Sequence, residues 1–70
     1  MKETIKAEPY YKLKTLIRKK GFLQKEVAEK IGMDNPTFSM KINRTGNRDF
    51  KFAEVIKIAE LLDADIKEFY

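Results

Sequence analysis

The chain has 70 residues, 43% of them apolar and 37% charged, with a net charge of +4 and no Cys, His or Trp. A chain of this length folds as one domain around a small, compact core, which favours a helical bundle. Without Cys or His it can form no disulfide, no thiolate or imidazole metal site and no Ser-His-Asp triad, so we expect no cofactor, no metal and no enzymatic activity. The polar N-terminus and the lack of a long apolar run predict a cytoplasmic protein without a membrane partner.

The charges are unevenly spread along the chain. Between Tyr10 and Lys51 there are eleven basic and four acidic side chains, and between Phe52 and Tyr70 there are two basic and five acidic ones. A protein that binds a polyanion with one side shows such a polarity, and so does a solvated surface with uneven charges. Charge alone leaves both interpretations open.

The first two predicted helices end at glycines. After a polar start over residues 1–8, which we expect to fray, apolar side chains recur every three or four positions from Tyr10, and Gly21 ends the helix. A second, short helix over residues 24–31 is followed by Gly32, which can adopt the left-handed conformation that closes a helix.

A capping sequence starts the third predicted helix. Either Asp34 or Asn35 can accept hydrogen bonds from the first free N–H groups, and Pro36 is tolerated in the first turn. Phe38 and Ile42 lie four residues apart and predict the buried side of this helix.

The polar residues 43–47 predict a loop, and the apolar spacing over residues 52–62 predicts a fourth helix. A final turn follows over residues 66–70. We assign Phe50 and Phe52, which flank the start of the fourth helix, to the core, because so small a domain needs its large apolar groups for packing.

The connection between the second and third helices is about four residues long and contains Gly32. So short a connection makes two helices cross steeply, and the small side chain of Ala28 allows their close approach. In a helix-turn-helix, one such helix lies across the DNA backbone while the other enters the major groove.

These motifs, in this order, resemble those of the lambda-repressor-like helix-turn-helix DNA-binding domains, the Cro/cI-type or xenobiotic-response-element family. The resemblance covers residues 10–70. It rests on residues 21–34, Thr37-Phe38-Ser39, Asn43, Asp49-Phe50, Ala53-Glu54 and Ile58-Ala59. It implies an all-α fold, a compact five-helix lambda-repressor-like bundle with a helix-turn-helix, formed as a single domain by residues 1–70.

Four residues depart from the family pattern. Leu23 and Lys51 remove the side-chain caps that are usual at the second and fourth helices. Arg44 replaces the Gly that usually follows the third helix. Lys41 occupies a position that is usually apolar, and we expect its stem to pack on the core with its ammonium group outside.

The side of the third helix opposite Phe38 and Ile42 is the predicted base-reading surface, at positions that match the base-reading sites of the family. Its residues are Asn35, Pro36, Ser39 and Met40. An amide such as that of Asn35 can pair with adenine, a hydroxyl with donor or acceptor edges, and an apolar side chain with a thymine methyl group. The alternatives are a helix cap for Asn35 and an exposed side chain without a role for Met40.

Phosphate contacts are expected around this surface. The resemblance gives one to Gln24, and the loop after the third helix supplies cations and polar groups. The predicted set is Gln24, Thr37, Asn43, Arg44, Thr45, Asn47, Arg48 and Lys51. Four lysines of the first helix are left out because that helix can face away from the DNA: Lys12, Lys14, Lys19 and Lys20.

The final turn offers a patch for self-association, formed by Ile66, Phe69 and Tyr70. The resemblance implies that the region after the fourth helix forms the contact of a homodimer, and burial against the first helix is the alternative. A dimer would hold two third helices one DNA turn, about 34 Å, apart and require a near-palindromic operator.

The sequence thus predicts a sequence-specific regulator of transcription that binds double-stranded DNA. It would be a repressor of the phage or mobile-element type that inserts residues 35–43 into the major groove. The alternative is a small helix-turn-helix protein that acts mainly through a protein partner, as antitoxins do. An enzyme is the last hypothesis, because a domain of this size offers no cleft for its carboxylates and lysines.

Overall fold

The computed structural model describes residues 8–69, and it is entirely helical over that range. The four α-helices are α1 (Tyr11–Lys19), α2 (Gln24–Lys30), α3 (Asn35–Asn43) and α4 (Phe52–Leu62). Two 3-10 turns complete the architecture, Thr45–Asn47 and Ile66–Phe69. Since residues 8–69 contain no strand, the all-α prediction is confirmed.

The five-helix count implied by the family resemblance is wrong, because the last helical segment of the described chain is a single 3-10 turn. Asp63 ends α4 in the left-handed conformation, with a φ of 52°. The Asp65 carbonyl then accepts from the Glu68 N–H at 2.9 Å, a bond spanning three residues. A segment of this length closed by such bonds does not extend into an α-helix. The prediction that residues 1–8 fray concerns, apart from Glu8, residues outside the described range.

The predicted helix stops are confirmed at both glycines. Gly21 and Gly32 adopt φ angles of 84° and 78°, which are strained for any residue with a Cβ atom. Beyond the second of them, the Met33 N–H donates to the Ala28 carbonyl at 2.8 Å. The chain therefore turns sharply between α2 and α3 without leaving the end of α2 unsatisfied.

The cap of α3 is Asp34, which settles the alternative left by the sequence. Its Oδ2 atom accepts from the Thr37 N–H at 3.2 Å and from the Thr37 hydroxyl at 3.0 Å. These bonds favour the charged carboxylate and lower the pKa of Asp34. Asn35 is the first residue of the helix, and Pro36 is the second, where its missing N–H costs no helical hydrogen bond.

One apolar core lies between the helices, and α2 packs chiefly against α3 while α1 packs against the second 3-10 turn. Its buried residues are Tyr10, Leu13, Leu16, Ile17, Val27, Ala28, Phe38, Ile42, Val55, Ile58, Ala59, Leu62 and Phe69. The predicted inner side of α3 is confirmed, since Phe38 and Ile42 are fully buried. No helix in the described part of the chain is both long and apolar enough to cross a lipid bilayer.

The assignment of Phe52 to the core is wrong, because its side chain is 73% exposed. Phe50 fills the space at this end of the core instead, with its ring 5.5 Å from that of Tyr10 and 5.4 Å from that of Phe38. Phe52 is the first residue of α4 and lies beyond this cluster. Only one of the two neighbouring aromatic residues is therefore used for packing.

Candidate nucleic-acid interface

The predicted base-reading residues all lie outside the core on α3. Asn35 and Pro36 are exposed at its first turn, and Ser39 and Met40 are half-buried further along. The side chain of Asn35 takes no part in capping, because Asp34 fills that role. The exposed amide of Asn35 therefore keeps its donor and its acceptor available, as pairing with a base edge would require.

Asn43, predicted to contact a phosphate, joins α3 to α1. Its Nδ2 group donates to the carbonyl oxygen of Ser39 at 2.8 Å, and its Oδ1 atom accepts a short hydrogen bond from the ammonium group of Lys14. The amide is therefore held from both ends within the protein. It fixes the last turn of α3, the turn that carries Ser39 and Met40, against α1.

Lys14 is a residue of this region that sequence reasoning left out. The structure brings its ammonium group to the end of α3, beside Asn43. The available signal was its position: Lys14 follows the fully buried Leu13 and therefore lies at the edge of the packed side of α1. At that edge a lysine stem can lie along the core while its charge reaches a neighbouring helix.

Arg44, where the family resemblance would place a glycine, directly follows α3 and adopts the left-handed conformation itself, with a φ of 55°. Its guanidinium carbon lies 4.2 Å from the centre of the Tyr10 ring. One terminal nitrogen donates to the Tyr10 hydroxyl at 2.8 Å and lies 3.5 Å from Asp49 Oδ2. The structure thus holds this predicted phosphate ligand inside the fold, where it anchors the loop after α3.

The Tyr10 hydroxyl lies at the centre of the same cluster. It donates to Asp49 Oδ1, which also accepts from the Phe50 N–H at 2.7 Å. Burial of the phenol, reinforced by its hydrogen bond to the Asp49 carboxylate, raises the pKa of Tyr10 to about 12. The neutral phenol therefore pins the loop to the start of α1.

The remaining predicted phosphate ligands lie around α3 on other segments. Thr45, Asn47, Arg48 and Lys51 are all exposed along the loop that leads to α4. Gln24, half-buried, is the first residue of α2. By contrast, the Thr37 hydroxyl is used as a donor to Asp34.

The sequence predicted that the ammonium group of Lys41 would lie outside the fold, and this prediction is wrong. The ammonium group contacts both Glu54 carboxylate oxygens at 2.9 Å, and the two side chains are only 13% and 22% exposed. Partial burial alone would raise the pKa of Glu54, but hydrogen bonds from the Lys51 N–H and from Lys41 outweigh it and lower that pKa. This ion pair fastens the polar side of α3 to the first turn of α4.

The proposed self-association patch is divided by the structure. Phe69 is only 2% exposed and belongs to the core, beside α1. Ile66 is half-buried against the same core, and Tyr70 lies outside the described residues. Phe69 therefore follows the alternative of burial, and it cannot serve as an open contact for a second copy.

Among residues 8–69, no group of three or more acidic side chains is arranged to hold a metal ion. In comparisons with known proteins, no family model, no curated protein sequence and no solved structure matches the chain.

Proposed function

We propose that this protein is a sequence-specific regulator of transcription that binds double-stranded DNA, of the repressor type carried by phages and mobile elements. In this proposal α2 and α3 form a helix-turn-helix of the lambda-repressor-like kind, and α3 enters the major groove. The observation that supports it most is the contrast between the two sides of α3. One side is packed into the core by Phe38 and Ile42, and the other carries four accessible side chains suited to base edges.

Each side chain has a distinct task in this proposal. The free amide of Asn35 pairs with adenine, the hydroxyl of Ser39 pairs with a donor or acceptor edge, and Met40 and Pro36 contact thymine methyl groups. The exposed loop residues Thr45, Asn47, Arg48 and Lys51, with Gln24 of α2, bind phosphates and supply the salt-dependent share of the affinity. Arg44 is left out of the phosphate set, because its guanidinium is engaged with Tyr10 and Asp49.

Selection of bound sequences from a random pool of duplex DNA tests this function. We expect a defined motif to be enriched by the natural protein. The variant with Asn35, Ser39 and Met40 all changed to Ala should lose that preference while keeping its fold and weak general binding. The matched control changes Lys57 and Glu60, exposed on α4, to Ala and should select the same motif. Failure of the natural protein to enrich any motif would overturn the proposal.

A second candidate function is recognition of a protein partner, as in small antitoxins. The exposed ring of Phe52 favours it, since a large apolar side chain at the surface is a common anchor for a partner. Purification of the tagged protein from its native source, with nuclease added, tests it. A stoichiometric partner that no longer binds the Phe52→Ala variant would support this candidate over DNA binding.

A homodimer on DNA remains part of the first proposal. Its signature is two-fold symmetry in the selected motif, with half-sites separated by one turn of the duplex. A motif without symmetry would indicate that a single copy binds.

A further inference from the structure

A groove of about 380 Å³ runs between α1 and the start of α2. It is lined by Lys14, Ile17, Arg18, Phe22, Leu23 and Gln24. This lining contains two cations and no carboxylate, so the groove is suited to an anion.

The two cations lie four residues apart on the same side of α1, where like charges repel and weaken a helix. Within the described residues Arg18 is exposed and forms no ion pair, so no carboxylate of that part of the chain offsets its charge. Lys14 donates to the neutral amide of Asn43, which leaves its positive charge uncompensated as well. An anion between the two side chains would remove the repulsion.

We propose that Lys14 and Arg18 bind a phosphate of the DNA backbone in this groove, with the Gln24 amide as a third donor. The inference rests on the proposed DNA-binding function and adds α1 to the surface that contacts the duplex. Leu23, which also lines the groove, is 60% exposed and offers no hydroxyl to a phosphate. Among the side chains that line the groove, only Lys14, Arg18 and Gln24 can donate to the phosphate.

Lys14 also links this groove to the base-reading helix. Its ammonium group holds the Asn43 amide, and that amide holds the Ser39 carbonyl. A phosphate bound to Lys14 therefore touches a hydrogen-bonded chain that reaches a base-reading residue. Occupancy of the groove and the position of α3 in the major groove are therefore coupled through two side chains, Lys14 and Asn43, and the Ser39 backbone carbonyl.

The salt dependence of operator affinity tests the inference. For each phosphate that a variant no longer binds, the slope of log affinity against log salt concentration should fall by about 0.9. We expect this smaller slope in Lys14→Gln and in Arg18→Gln, each with weaker binding at low salt. Lys14→Arg keeps the charge and should keep the slope.

Lys12→Gln is the matched control. Lys12 lies on the same helix but lines a different groove, whose lining also includes Glu68. The Lys12→Gln variant removes one positive charge, as the groove variants do, but its slope of log affinity against log salt concentration should equal that of the natural protein. Arg18→Gln breaks no ion pair among the described residues, so it remains informative even if Lys14→Gln disturbs α3.

The outcomes separate the two proposals. If the natural protein selects a motif but both groove variants keep the natural slope, the phosphate groove is wrong and the DNA-binding function stands. If Lys12→Gln lowers the slope as much as Lys14→Gln and Arg18→Gln do, the effect comes from net charge, and the proposed phosphate site in the groove is again wrong. If the natural protein selects no motif, both proposals fall.

Discussion

Tyr10, just before α1, contacts the end of α3 and the loop that follows it, more than 30 residues later in the chain. Its N–H donates to the Ile42 carbonyl at 2.9 Å, its hydroxyl donates to Asp49, and Arg44 stacks on its ring. Ionisation of this phenol would place a charge in a buried position next to a carboxylate, which both desolvation and repulsion oppose. In the folded protein the Tyr10 hydroxyl therefore stays protonated far into the alkaline range.

We expect the free energy of unfolding to fall as the pH rises from 10.0 to about 12 because of this residue. Its pKa is raised from 10.0 to about 12 by folding, so the unfolded chain loses the proton first. The stabilisation is complete below pH 10.0 and is lost as the pH approaches the folded pKa. Denaturant unfolding followed by circular dichroism across this range measures the slope.

Tyr10→Phe is the matched variant for that measurement. It keeps the ring and removes the titrating proton. We expect a shallower decrease of stability in the variant. Equal slopes would mean that the Tyr10 hydroxyl is not held as the structure has it.

At the scale of single elements, α2 begins with an incomplete cap. Glu26 Oε1 accepts from the Leu23 N–H at 2.8 Å, but Leu23 has no side-chain oxygen to accept from the first turn in return. Leu23→Thr should supply that acceptor and raise the free energy of unfolding by about 1 kcal/mol. Chemical denaturation measures the change.

Leu23→Ala is the control, because it removes the exposed apolar side chain without adding an oxygen. It should leave stability within about 0.5 kcal/mol of the natural protein. A stabilisation as large as that of the Thr variant would refute capping as the cause.

The Lys41–Glu54 pair carries the contact between the polar side of α3 and the first turn of α4. Glu54→Gln keeps an oxygen for the Lys51 N–H but leaves the partly buried Lys41 ammonium without its carboxylate, so we expect a loss of about 1 kcal/mol. Lys41→Met in the same chain should recover much of that loss. A double-mutant cycle measures the coupling, and purely additive effects would show that the pair adds nothing.

The Glu54→Gln variant also predicts a pH effect. Because the pKa of Glu54 lies below its ordinary value of 4.5, its stabilisation is complete above that pH and is lost as the pH falls through the lowered pKa. Stability of the variant should therefore depend less on pH in the acid range. The same denaturation experiment at acidic pH detects this difference.

Local signals predicted most of the elements. The glycines that end α1 and α2, and the capping sequence before α3, act through neighbouring residues, so the sequence alone is enough to interpret them. The partner of Lys41 was missed because Glu54 is 13 residues away and belongs to another helix. The choice between Phe50 and Phe52 likewise depends on where α4 meets the rings of distant residues.

At the scale of the whole molecule, the end of the described chain closes the core. Phe69 lies among the buried residues and packs beside α1, so the final turn joins the last described segment to the first helix. Phe69→Ala should lower the free energy of unfolding by about 3 kcal/mol through the cavity that it leaves. Thermal and denaturant unfolding measure the loss.

Lys67→Ala, in the same turn but exposed, is the control and should leave stability nearly unchanged. If Phe69→Ala instead left stability intact and only reduced self-association, the side chain would belong to a dimer contact and not to the core.

The candidate interface could be predicted only in part from the sequence. The spacing on α3 was enough to select accessible side chains, because helix periodicity fixes which residues share a side. The contacts that Arg44 and Lys14 make within the protein could not be predicted, because in each case the partner is far away in the sequence. Arg44 meets Tyr10, 34 residues earlier, and Lys14 meets Asn43, 29 residues later.

The exposed first residue of α4 also makes the protein accessible to spectroscopy. The chain has no Trp, so Phe52→Trp would introduce a single indole fluorophore. The substitution would not disturb the core, because Phe52 lies outside it. That residue directly follows the loop of exposed polar groups after α3. Emission from the indole would shift when a duplex or a protein covers this end of the molecule, and quenching by a small solute would report how completely it is covered.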